Sequence, residues 1–75
     1  MTAEKFDRTL RTLQELRPVR PVTVELHGGR QFDVDDPRMI AYRDGVAVYL
    51  APGGRSVWFD HGDVSQIMEP PANTP

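Results

Sequence analysis

Apolar residues recur with a helical period up to Leu16 and with a period of two from Val22 onward, and the change falls on Arg17-Pro18-Val19-Arg20-Pro21. Proline disfavours helical geometry in the residue before it, so a helix that reaches this segment ends there. The chain therefore has one helix at its start and strands after it. Phe6, Leu10, Leu13 and Leu16 are spaced by four, three and three residues, which places them on one stripe of a helix running from about Ala3 to Leu16. Thr2 is positioned to cap it, and Glu4 lies in the first turn, where the helix dipole favours an anion. The opposite face carries Glu4–Arg8, Asp7–Arg11 and Arg11–Glu15, opposite charges four residues apart, as on a solvated helix face.

Beyond the prolines, Val22, Val24 and Leu26 alternate with Thr23, Glu25 and His27, the pattern of a half-buried strand. Gly28-Gly29 marks a hairpin. A three-residue loop, Gly28-Gly29-Arg30, sets Leu26 opposite Phe32 and Val24 opposite Val34, and leaves Glu25 facing Asp33. Like charges directly opposite weaken a sheet, so this register carries a cost. Asp35-Asp36-Pro37 interrupts the return strand, which resumes from Met39 to Arg43, and Asp44-Gly45 forms the next turn. Val46–Leu50 and Ser56–His61 flank Pro52-Gly53-Gly54-Arg55. A tip centred on Gly53-Gly54 pairs Leu50 with Val57 and Val48 with Phe59 inward, and Tyr49 with Trp58 outward. A last short strand spans Val64 to Met68, and the end of the chain is proline-rich.

One helix and five short strands, with no second helix to cover a flat sheet, are best accommodated by a strongly bent, antiparallel small barrel of the SH3-like kind, plugged at one end by the helix. At 75 residues the chain holds one domain, expected over residues 1–69, with 70–75 as a disordered tail. It has no cysteine, so neither a disulfide nor a thiolate metal cage can reinforce so small a core; self-association can. Nine basic against eleven acidic residues give a net charge of -2, which argues against a general nucleic-acid binder. No apolar run approaches the roughly 18–20 residues of a membrane span. Met1 to Arg11 is charged throughout, unlike a secretory signal. A cytoplasmic protein with no membrane partner is expected.

The order of elements resembles the Sm-like fold, and most its bacterial Hfq branch, over Ala3 to Met68. Val22-Thr23-Val24-Glu25-Leu26-His27-Gly28-Gly29 is similar to that family's first strand and glycine turn, and Asp44 stands where the family commonly has an Asp before its third strand. Val57-Trp58-Phe59-Asp60-His61 followed by Val64-Ser65-Gln66-Ile67 is similar to the fourth strand, its Tyr-Lys-His signature and the strand after it. The resemblance implies a ring-forming barrel in which Ser56–His61 of one subunit pairs with Val64–Met68 of the next. It also implies RNA as a ligand, with His61 retained from the pore-facing set. Asp60, however, occupies the place of the family's pore lysine, so the expectation is a non-catalytic binding or assembly module rather than an RNA chaperone.

Other chemistry is thinly represented. His61 and Asp63 could join Ser56 or Ser65 in a nucleophilic set, but no oxyanion hole or positioned base is legible, and no catalytic residue is expected. Asp33, Asp35 and Asp36 form an acidic cluster without the glycine and distal glutamate of a calcium loop; His27 and His61 have no companion ligands. Hence no metal site and no cofactor are expected. Gly28-Gly29 and Gly53-Gly54 precede no helix and lack the Lys-Ser/Thr pair of a phosphate loop. Arg8 and Arg11, with His61, are the candidate RNA or anion contacts. Tyr49, Trp58 and Tyr42 are the candidate interface, because large aromatics exposed together mark contact surfaces, although the helix could equally fold over them. The partners considered are a second copy of the chain, RNA, or another protein.

Overall fold

Residues 1–69 are described by a computed structural model; the expected tail, 70–75, lies outside the described residues. The elements are α1 (Ala3–Glu15), β1 (Val22–Leu26), β2 (Gln31–Val34), a 3-10 turn (Pro37–Met39), β3 (Ile40–Arg43), β4 (Val46–Ala51), β5 (Arg55–Asp60) and β6 (Val64–Met68). The Thr2 hydroxyl accepts the Lys5 N–H at 3.1 Å and caps the helix. At the other end Arg17 Nη1 donates to the carbonyls of Gln14 and Leu16 at 2.9 and 2.8 Å, and Leu16 is already extended. Phe6, Leu10 and Leu13 are the buried stripe. Of the three expected ion pairs, Glu4–Arg8 forms at 3.0 Å, whereas Asp7 accepts the Gly45 N–H at 2.9 Å instead.

The strands pair antiparallel in two three-stranded sheets, β2-β1-β6 and β3-β4-β5. This corrects the expected five-stranded closed barrel in two respects. The bent second strand is two strands, β2 and β3, and no ladder among the described residues joins one sheet to the other. The physical cause lies at Asp35–Met39. Pro37 has no N–H to donate, and the Asp36 carboxylate accepts the Arg38 N–H at 2.9 Å, so a single 3-10 turn replaces ladder pairing. Gln14 of α1 then donates to the carbonyls of Pro37 and Ile40 at 3.1 and 2.7 Å, which fastens the helix over the break.

Both glycine hairpins differ in register from the sequence expectation, with unequal consequences. In the first, Val22 faces Val34, Val24 faces Phe32, Glu25 faces Gln31 and Thr23 faces Asp33. The loop is His27-Gly28-Gly29 rather than Gly28-Gly29-Arg30, a shift of two residues that keeps every side chain on its expected face. It also removes the Glu25–Asp33 opposition: Gln31 Nε2 donates to Glu25 and the Thr23 hydroxyl to Asp33, at 3.1 and 2.8 Å. In the second hairpin the loop is Pro52-Gly53-Gly54, and Ala47 faces Phe59, Val48 faces Trp58 and Tyr49 faces Val57. This is a shift of one residue, which turns β4 over. Tyr49 points into the core at 4% exposure, and the expected outward Tyr49–Trp58 pair does not exist.

The core lies between the two sheets and under the helix: Phe6, Leu10, Leu13, Val22, Val24, Val34, Ile40, Ala47, Tyr49, Phe59 and Val64. Phe59 meets Phe6 edge-on at 5.7 Å and Phe32 edge-on at 5.2 Å, and Phe32 stacks on Tyr49 at 6.4 Å. The two-residue Asp44-Gly45 turn, with φ of 51° and 82°, returns β3 into β4. Gly45 is also a packing position, since a Cβ there would lie 2.6 Å from the His61 ring and 2.8 Å from Ala3 Cβ.

Two stability predictions follow from this register and packing. Tyr49→Ala, removing a buried aromatic, should cost about 3–5 kcal/mol, whereas Trp58→Ala should stay within about 0.5 kcal/mol in dilute protein. Urea titrations at low micromolar concentration check this, and equal losses would restore the expected register. Gly45→Ala should cost about 2–5 kcal/mol, from the left-handed backbone and the forced repacking together; a thermal midpoint unchanged from the parent would mean that the α1 start does not close on this turn.

Candidate functional site

The outer faces of the two sheets are chemically opposite. On the first, Glu25 of β1 receives Gln66 Nε2 of β6 at 2.8 Å on one carboxylate oxygen and Gln31 Nε2 of β2 at 3.1 Å on the other. One carboxylate thus ties three strands, and these hydrogen bonds, Gln66 first and then Gln31, hold its pKa below the ordinary glutamate value. The Thr23 hydroxyl and Asp33 form a further pair on this mainly polar face, where half-buried Met68 stands opposite Thr23.

On the second sheet the outer face reads, row by row across β3, β4 and β5, Arg43–Val46–Asp60 and Ala41–Val48–Trp58, with Leu50 opposite Ser56 beyond. Trp58 is 70% exposed, Leu50 50% and Val46 48%. Beside Trp58, where the small Ala41 side chain leaves room, lies an open apolar notch of about 240 Å³ bounded by Ala41, Arg43, Val46, Val48 and Trp58. Helix α1 packs against the 3-10 turn and β3 and does not cover Trp58.

The sequence-derived candidates are distributed as follows. Trp58 is exposed as an interface residue needs to be. Tyr42, on the inner side of β3 opposite Ala47, is half-buried and lines a shallow pocket with Glu4, Asp7, Arg8 and Arg11. Tyr49 lies in the core, and its hydroxyl accepts the Asp35 N–H at 3.4 Å. Arg8 is paired with Glu4, Arg11 is exposed in the same mixed-charge pocket, and His61 is not among its walls. His61 Nδ1 instead lies 2.9 Å from the Met1 carbonyl, and its backbone N–H donates to Gly45. Within the acidic cluster Asp33 accepts the Thr23 hydroxyl, and Asp36 takes both the backbone N–H and the guanidinium of Arg38, at 2.8 Å for Nη2, a partner that lowers its pKa. Among the described residues no three His, Asp or Glu side chains converge as metal ligands, and no helix is long and apolar enough to cross a membrane.

Sequence reasoning missed Val46, Leu50, Ala41 and Arg43. The signal was present in Val46-Ala47-Val48-Tyr49-Leu50-Ala51, a strand apolar at every position, which must present an apolar row outward whichever way it turns. The fold and this surface define a small, mainly β domain with an N-terminal helix and one apolar outer sheet face. Compared with protein-family models, with curated proteins and with solved structures, the chain finds no match.

The depressed pKa values of Glu25 and Asp36 set a pH dependence. Their ordinary values are 4.5 and 3.8. A carboxylate whose folded-state pKa is lowered stabilises the fold fully above its unfolded value, and loses that contribution as pH falls through the folded one. Glu25→Gln should therefore lower the urea midpoint near neutrality and flatten its decline below about pH 4.5. A decline as steep as the parent's would mean that the three-strand carboxylate contributes nothing.

Proposed function

We infer that this chain is a non-catalytic binding and assembly module of the Sm-like, helix-plus-barrel kind, acting through protein contacts on the outer face of the β3-β4-β5 sheet. The observation that carries the reading is the contrast between the two outer faces, one mainly polar and tied together by side-chain hydrogen bonds, the other with an apolar surface centred on Trp58. Apolar surface grouped in this way marks contact sites, whereas single exposed hydrophobic residues are ordinary. For the Sm-like aspect, β2 and β3 read as one bent strand that serves both sheets in turn, with the 3-10 turn at its corner.

Ring assembly is a second reading, favoured by one feature. β5 and β6 are each an outer strand of their sheet, so Arg55–Asp60 and Val64–Met68 offer edges of the kind the resemblance would pair between subunits. RNA binding has less support, because Arg8 is engaged by Glu4 and shares its pocket with Asp7.

A photoreactive phenylalanine analogue placed at position 58 in growing cells tests the main reading. It should form adducts with protein, and the same analogue at position 31 on the polar face should form none. Absence of adducts from position 58, or equal labelling from both, removes the apolar face as the working surface.

A further inference from the structure

The arrangement of side chains on the outer face of the β3-β4-β5 sheet points to its occupant. We propose that it is a second copy of the same chain, packed face to face about a two-fold axis that runs along β4. This rests on the reading of that face as the contact surface and specifies what covers it.

The rows across the sheet carry the inference. A two-fold axis parallel to β4 lays β5 of one copy over β3 of the other and keeps each row over itself. Trp58 of β5 then comes down on Ala41 of the partner's β3, and so enters the notch between Ala41, Val46 and Val48. Asp60 faces the partner's Arg43, and Arg43 faces the partner's Asp60. Val46, Val48 and Leu50, along the axis, meet their own counterparts. The largest side chain meets the smallest, and opposite charges meet at both flanks. An axis across the strands would instead put β5 on β5 and β3 on β3, stacking the bulky rows on one another and leaving the notch unfilled. Only the first arrangement is self-complementary in both size and charge.

Arg43 is free to take this role. Its contact in the single chain is a 3.7 Å approach to its neighbour Asp44, both side chains being about nine-tenths exposed. Asp60 accepts the Asp63 N–H at 3.0 Å through one carboxylate oxygen, which fixes the carboxylate at the flank. Packed sheets lie about 10 Å apart, and a face of three strands, two of six residues and one of four, measures at most about 14 by 20 Å. That is well below the roughly 800 Å² per partner of a stable interface, so the dimer is of the weak, transient class.

Sedimentation equilibrium of the full chain from about 5 µM to 1 mM, with circular dichroism of each variant as a fold check, tests the assignment. The parent should pass from monomer to dimer across that range. Trp58→Ala should remain monomeric, Arg43→Asp should weaken association at least tenfold, and Arg43→Asp with Asp60→Arg should recover part of it. The decisive variant is Ala41→Trp. It enlarges the apolar surface but fills the notch, so this geometry requires association to fall, whereas indiscriminate sticking would strengthen it. Stronger association in Ala41→Trp, or a parent that stays monomeric at 1 mM, overturns the proposal. A monomeric parent whose position 58 still labels another protein in cells would leave the contact-surface reading intact and refute only the second copy; no labelling at all would remove both.

Discussion

Phe59 holds the molecule together. Its ring is met edge-on by Phe6 from the helix and by Phe32 from the first sheet, while Phe59 itself belongs to the second. No backbone ladder among the described residues links the two sheets, so their relative placement depends on side chains, and this aromatic junction is where the helix and both sheets touch. Edge-to-face pairs of this kind contribute about 0.5–1.5 kcal/mol each beyond the area they bury. In a domain of this size the whole stability is on the order of 5 kcal/mol, so two such contacts on one ring are a substantial share.

The break that makes this junction necessary is itself well satisfied. Pro37 ends the ladder, Asp36 caps the 3-10 turn, and the Gln14 amide donates to the carbonyls of Pro37 and Ile40 on either side of it. At the far end of the helix, Ala3 packs against Gly45 while Asp7 takes the Gly45 N–H, and His61, in the turn after β5, closes on the same glycine. The helix is therefore fastened at both ends by polar contacts and in the middle by Phe6, Leu10 and Leu13. That accounts for its position over the break rather than over Trp58.

Much of this was legible in the chain. The helix, its cap and buried stripe, the turns, and the inward faces of β1, β2 and β5 all follow from period and from Pro and Gly placement. The register was not, and the two hairpins show why. In the first, the alternation of Val22, Val24, Phe32 and Val34 with polar residues tolerates a shift of two without exchanging faces. In β4 every residue from Val46 to Ala51 is apolar, so nothing in its pattern distinguishes inside from outside, and an error of one residue moves Tyr49 from core to surface. The shared device was the loop. His27-Gly28-Gly29 and Pro52-Gly53-Gly54 are both three-residue loops ending in two glycines of positive φ, and either one, correctly read, would have indicated the other. The exposed face was half legible: Trp58 stood out, but its neighbours depended on which way β4 turned.

The same ambiguity explains the surface. A strand apolar on both sides can satisfy only one of them within a single two-layer domain. Here the interior takes Ala47, Tyr49 and Ala51, because Tyr49 stacks on Phe32 while its hydroxyl reaches the Asp35 N–H at the rim. Val46, Val48 and Leu50 are then left to the outside beside Trp58. Apolar surface left in water forgoes about 25 cal/mol for each Å² that could be covered, and the first sheet demonstrates that this architecture accepts a polar outer face without difficulty. Glu25 with its two glutamine donors is that solution. Since the fold does not require an apolar exterior, the one on β4 and β5 is a property of that surface and not a consequence of the packing beneath it.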